Sequence, residues 1–163
     1  MYLEPEKISA IVDIYSQLIS EVTVLSIAYE SAHLNVRGEN FYQYHLLFER
    51  TGNDLNSAID IDSLGERIGS LDSRYIIPVS AALAAKNSQI IQQLGDIPVT
   101  QDAKTLLDYL INATEFVANF CYTSANYLTS IGANTDANKL QEYEVNIGHN
   151  LYLLNAQRWG GDD

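Results

Sequence analysis

An all-α fold is what this sequence predicts: a bundle of four long helices with a short extra helix in the connection between the second and the third. Two observations predict it. Apolar residues recur at three and four residues over four long stretches, the period of one helical face. Residues 72–99, which hold Pro78, Gly95 and Pro98, form a connection long enough to let the second and third helices run parallel.

Pro5, with acids on either side, opens the first helix, because a proline at the first helical position loses no hydrogen bond. Ile8, Ile11, Tyr15, Leu18, Val22, Leu25 and Ala32 carry its stripe to about Asn35. The stretch 37–40 breaks it, with Asn40 as an N-cap for the next. The second helix runs from about Phe41 to Leu71 on Phe48, Leu55, Ile59, Leu64, Ile68 and Leu71. Gly52 weakens it, and the stripe slips between Ile59 and Leu64, where a one-turn bulge would restore the phase. Val79 to Leu83 is the short crossover helix, and Thr100 caps the third long helix. Leu107, Leu110, Val117, Phe120, Cys121, Leu128 and Ile131 form its stripe, and Gly132 stops it. The fourth runs from about Asp136 to Gln157 on Leu140, Tyr143, Ile147, Leu151 and Leu154.

The 163 residues, 47% of them hydrophobic, suffice for one domain spanning 1–163, with 1–5 and 159–163 as loose tails. Charged residues make up 18%, too few for a disordered chain. The longest nearly apolar run, 76–85, is half of the ~20 residues a membrane span needs, so no membrane partner is expected. The net charge is −12, and the nine Lys and Arg are scattered with no two adjacent. Nucleic acids are held by clustered cations, so none is expected as a partner; an acidic surface suits metal ions. The one cysteine, Cys121, excludes an internal disulfide or a multi-cysteine zinc site and reads as a buried small hydrophobe. The N-terminal stretch lacks the basic and apolar regions of a signal peptide, which makes the cytoplasm the expected location.

His33 and His45 flank the break after the first helix, and Asp62 and Glu66 lie four apart, on one helical face. Imidazole nitrogens with carboxylate oxygens suit iron, zinc or manganese. On one continuous helix, the 21 residues from His45 to Glu66 would span roughly 32 Å, far beyond the ~2 Å of a metal–ligand bond. Two chains with antiparallel helices about a twofold axis would pair one chain's histidines with the other's carboxylates, giving two equal sites. A sharp break at Gly52 is the competing geometry, closing the site within one chain.

The segment His33-Leu34-Asn35-Val36-Arg37-Gly38-Glu39-Asn40-Phe41, followed by His45 and by Asp62-Ser63-Leu64-Gly65-Glu66-Arg67, resembles the signature of the Dps proteins, or miniferritins. That pattern is His-Trp-Asn-Val-x-Gly-x-x-Phe, a second histidine twelve residues after the first, and Asp-x-x-Ala-Glu-Arg. The motif covers about residues 22–71. The resemblance implies a ferritin-like bundle assembled as a hollow dodecamer. It implies ferroxidase centres between subunits, with His33 and His45 from one chain and Asp62 and Glu66 from its partner as metal-binding and catalytic residues. It implies Fe(II) oxidation, with hydrogen peroxide preferred over oxygen, and storage of ferric iron, with zinc as a possible competitor. A shell or scaffold of the same fold, its site degenerate or filled by zinc, is the alternative.

Several departures from the pattern bear on this. Leu34 stands in the Trp position, and Tyr42 or Tyr44 could supply the missing aromatic, though packing is the commoner use of tyrosine. Two extra residues precede the carboxylate pair, so counting from His45 aligns Asp60 and counting back from Glu66 aligns Asp62. Asp60 and Glu66 would sit roughly 120° apart on an ideal helix, which favours Asp62 unless a bulge intervenes. Ala133 and Asn138 replace acids that in the family line a threefold pore, leaving only Asp136 and putting iron access by that route in doubt. No basic tail of the kind that binds DNA in the family is present between 1 and 163. His149, the third histidine, reads as a packing or surface residue, and Trp159 as an interface residue.

Overall fold

The computed structural model describes residues 2–159. Helix α1 spans Pro5–Asn35 with Pro5 in its first turn, and all seven residues of the expected stripe are buried. Glu21, Val24 and Tyr29 are buried as well, because α1 packs against α2 (Phe41–Ala58), α3 (Ile61–Leu71), α4 (Ala81–Asn87), α5 (Gln89–Leu94) and α6 (Ala103–Ser130). A helix buried on several sides is apolar nearly all round. This explains why, among the described residues, α1 alone is long and apolar enough, by composition, to cross a membrane. Helix α7 (Asn134–Trp159) packs on α6 and on α2, closing a bundle of α1, α2 with α3, α6 and α7. The short crossover helix expected at Val79 to Leu83 is present two residues later as α4, capped by Ser80, with α5 following it.

The second long helix is not continuous. It leaves helical geometry at Ile59 (φ −123°, ψ 89°) and Asp60 (φ −81°, ψ 118°), and α3 starts afresh. A two-residue break, rather than the expected one-turn bulge, absorbs the slip in the stripe. Asp60 stabilises it as the N-cap of α3: Oδ1 accepts from the Asp62 N–H at 3.1 Å and Oδ2 from the Ser63 hydroxyl at 3.0 Å. No break occurs at Gly52, which lies inside α2. A Cβ there would come within 3.1 Å of the Tyr29 Cβ, so glycine is what lets α1 and α2 approach at this level.

Two expected caps are also corrected. Asn40 occupies the N-cap position of α2, but in the left-handed region at φ 62° with no side-chain bond to the helix. Asn tolerates that conformation better than most residues, and this is its use here. Asp102, not Thr100, caps α6 by accepting from the Thr105 N–H at 3.0 Å; Thr100 accepts from the Asp102 N–H one step earlier. Gly132, at φ 80°, ends the α6 segment as expected. Of the stretches expected to be loose, Tyr2 places its hydroxyl on the Arg67 guanidinium, and 160–163 lie outside the described residues. Trp159 ends α7 exposed.

Glu21 is a fully buried carboxylate with a defined task. Its oxygens accept the Gln89 N–H at 2.6 Å and the Ile90 N–H at 3.2 Å, tying the first turn of α5 to α1. Burial pushes its pKa above the ordinary 4.5, with the hydrogen bonds from Ser88 and the two amides opposing. An acid whose folded pKa is raised adds stability fully below its unfolded pKa and loses it as pH rises through the folded value. The unfolding free energy of the wild type relative to Glu21→Gln should therefore rise as pH falls from neutrality toward 4.5. Urea unfolding of both proteins across that range measures it, and a flat difference would exclude burial as the dominant influence on this carboxylate.

Candidate metal centre

The geometry starts at the turn between α1 and α2. His33 lies in the last turn of α1, where backbone carbonyls lack intrahelical partners, and His45 lies just inside α2. The two histidines bond reciprocally: His33 Nδ1 to the His45 carbonyl at 3.2 Å, and His45 Nδ1 to the His33 carbonyl at 2.9 Å. A carbonyl oxygen can only accept, so each Nδ1 carries the hydrogen. In the neutral ring this tautomer leaves the lone pair on Nε2, the arrangement a metal-binding imidazole needs. The rings stack at 4.2 Å, and Phe41 stacks on the other side of His45 at 5.2 Å.

Arg37 holds the turn that sets this register. Its guanidinium donates to the carbonyls of Leu34 at 3.0 Å and Val36 at 2.7 Å, neutralising the negative end of α1. Its backbone N–H donates to the Gln101 carbonyl at 3.0 Å, anchoring the turn to the start of α6. Val36 is fully buried beneath it.

Glu49 completes the cluster. One ligand atom from each of His33, His45 and Glu49 lies within 4.8 Å of the others, and among the described residues no other such group forms. Sequence reasoning missed Glu49, although its signal was available: it lies four residues after His45, on the same face of α2. His33 and Glu49 border a polar groove over Tyr29, Phe48 and Gly52, with Glu30, Asn53 and Asn56 along its walls.

Asp62 and Glu66 stand exposed one turn apart on α3, and the fold does not bring them to the histidines of their own chain. Asp60, the alternative to Asp62, has both oxygens engaged in capping α3. Arg67 leads into the bundle instead, where it forms a two-point ion pair with Asp136. Asp136, the one acid left from the pore motif, is thus internal, with 4% of its side chain exposed. His149 is exposed outside the cluster. Cys121 is buried, its thiol pushed up to about 12 by desolvation. Tyr44 packs in the core near Phe48, while Tyr42 is exposed.

The same helix ends carry exposed large apolar side chains: Leu34, Phe41, Tyr42 and Leu46 are each at least 36% exposed. Such a group is the usual mark of a contact surface.

No protein-family profile matches this chain, and no curated protein is significantly similar to it in sequence. Its backbone does match solved structures. DpsC from Streptomyces coelicolor superposes with a TM-score of 0.83 at 17% identity, covering 100% of this chain and 90% of that one. A Dps protein from Vibrio cholerae O1, of the ferritin-like diiron-carboxylate superfamily, gives 0.81 at 20% identity over 96% and 93%. Dps from Microbacterium arborescens, solved in a high iron form, gives 0.79 at 17% identity over 95% and 96%. The agreement covers nine-tenths or more of every chain compared, and it establishes the fold: this chain is a ferritin-like four-helix bundle, folded as Dps proteins are.

Proposed function

We propose that this protein is a Dps-type miniferritin that binds Fe(II) between subunits, oxidises it with hydrogen peroxide and stores ferric iron inside a hollow homo-oligomer. The observation that supports this reading most directly is the reciprocal histidine pair, which shares a cluster with Glu49. Asp62 and Glu66 of a neighbouring copy would complete each site across a twofold axis, and the exposed apolar side chains at the same helix ends are what such a copy would cover. Asp62 is preferred to Asp60, whose oxygens already cap a helix. The chemistry balances: each of two Fe(II) ions gives one electron, the O–O bond of peroxide breaks, and two protons complete two water molecules. No hydroxyl radical forms when both electrons arrive together. A dodecameric shell and a cytoplasmic setting belong to the same reading.

The test is anaerobic loading with Fe(II) followed by peroxide, read as ferric absorbance in the near ultraviolet. Rapid oxidation above the buffer rate is expected, and a rate equal to buffer would sink the reading. A second reading has its own support, because two histidines and one carboxylate with an open position are also a zinc set. Zinc that binds and is not displaced by Fe(II), with no oxidation, would favour the shell protein over the ferroxidase.

DNA is not a partner in this reading. Each copy adds twelve net negative charges, and no cluster of cations is present to release counterions from phosphate. The assembled protein should leave the gel mobility of duplex DNA unchanged at moderate salt without divalent metal. A retarded band under those conditions would refute this.

A further inference from the structure

The geometry points to Arg67, Asp136 and Tyr15 as positioning residues that set the rotation of α3, and through it the aim of Asp62 and Glu66. This rests on the reading above, in which those carboxylates complete the iron site of a neighbouring copy.

Helix α3 has 11 residues and is severed from α2 by the break at Ile59 and Asp60, so it inherits no rotational setting from its predecessor. Leu64, Ile68 and Leu71 turn its apolar face inward, but apolar packing alone admits small rotations. A carboxylate stands about 5–6 Å from a helix axis, so a turn of about 10° moves it by about 1 Å. Displacement on that scale can cost about a hundredfold in rate.

The residue after Glu66 removes this freedom. Arg67 meets Asp136 in a fork: Nε to Oδ1 at 2.9 Å and Nη2 to Oδ2 at 2.8 Å. Tyr15 donates its hydroxyl to the same Oδ1 at 2.6 Å. Asp136 and Tyr15 are almost fully buried, and they come from α7 and α1. A two-point ion pair fixes direction as well as distance, which a single contact cannot do. Burial raises the Tyr15 phenol well above its ordinary range, so it remains a donor at any working pH. Three helices therefore meet at the Asp136 carboxylate, and the guanidinium it holds is adjacent in sequence to Glu66.

The test uses full-length assembled protein and the variants Asp136→Asn and Arg67→Lys. Asn keeps the shape and an acceptor for Tyr15 but loses the charge; Lys keeps the charge but cannot fork. Co(II) alone serves as the probe, because its visible ligand-field spectrum reports coordination geometry. Both variants are expected to assemble, to bind Co(II) through the histidine arm with an altered spectrum, and to oxidise Fe(II) about tenfold or more slowly. Val117→Ala, a buried core change midway along α6, is the control for stability lost by itself. A wild-type spectrum and rate in a folded variant would overturn the inference, as would a loss no larger than that of Val117→Ala at equal loss of melting temperature. Should Asp136→Asn fail to fold, Arg67→Lys decides by the same criteria. Inactivity of the wild type itself, with no Co(II) spectrum, would remove the functional reading and this inference with it; an active wild type with equally active variants would remove the inference alone.

Discussion

Chains carrying His45→Ala and chains carrying Glu66→Ala are each expected to lose Fe(II) oxidation, and to regain part of it when assembled together. Changes to groups that merely orient a metal ligand cost about 10–100-fold, so removing a ligand should cost at least about 100-fold. The recovery follows from symmetry. If each site takes histidines from one copy and carboxylates from its neighbour, a mixed pair has one site lacking both His45 and Glu66 and one site lacking neither. Random pairing makes about half of the pairs mixed, so about a quarter of all sites should be complete. A site closed within one chain could never be restored this way, because every chain would lack a ligand. Co-expression of the two variants, with ferric absorbance compared against each alone, distinguishes the two geometries. Recovery near a quarter supports the shared site; activity no higher than either parent would count against it even if the wild type is a good ferroxidase.

The parts of this molecule that could be read from its sequence are those governed by local rules. The bounds of α1 follow from Pro5 and from the stripe that ends near Ala32, and the structure has them at Pro5–Asn35. The two histidines were visible because a short turn between two helices leaves their twelve-residue spacing little freedom. What could not be read depends on partners distant in the chain. Asp136 looked like a remnant of a pore motif, yet its partner Arg67 is 69 residues away, and only the packed bundle brings them together. The phase slip after Ile59 was visible, but a bulge and a break produce the same slip. What decides between them is that Asp60 caps the next helix with both oxygens. Glu49 went unnoticed for a different reason. An exposed glutamate on a helical surface is ordinary, and it gains meaning only where His33, from another helix, approaches the same point.

The largest loss of stability is expected from Phe48→Ala. Phe48 is fully buried on α2, lies tilted against Tyr44 at 5.9 Å, and floors the groove that Glu49 and His33 border. Truncating a buried phenylalanine costs about 3–5 kcal/mol, partly from lost transfer energy and partly from the cavity left behind. A domain of this kind has about 5–15 kcal/mol in total, so the variant should unfold at a much lower urea concentration. Phe41→Ala makes the contrast: that ring is 36% exposed, and its removal should cost far less stability while freeing the His45 ring it stacks on. The weakened variant also turns metal binding into a stability measurement. Because His33 and His45 sit on α1 and α2, a cation held between them binds the folded chain in preference to the unfolded one. At a hundred times its dissociation constant it would add about 2.7 kcal/mol, a sizeable part of what Phe48→Ala removes. Co(II) should therefore raise the urea midpoint of Phe48→Ala clearly, and a further His45→Ala change should abolish that rise. A midpoint that ignores the metal in the single variant, or responds equally in the double variant, would show that the histidine pair is not where the cation binds.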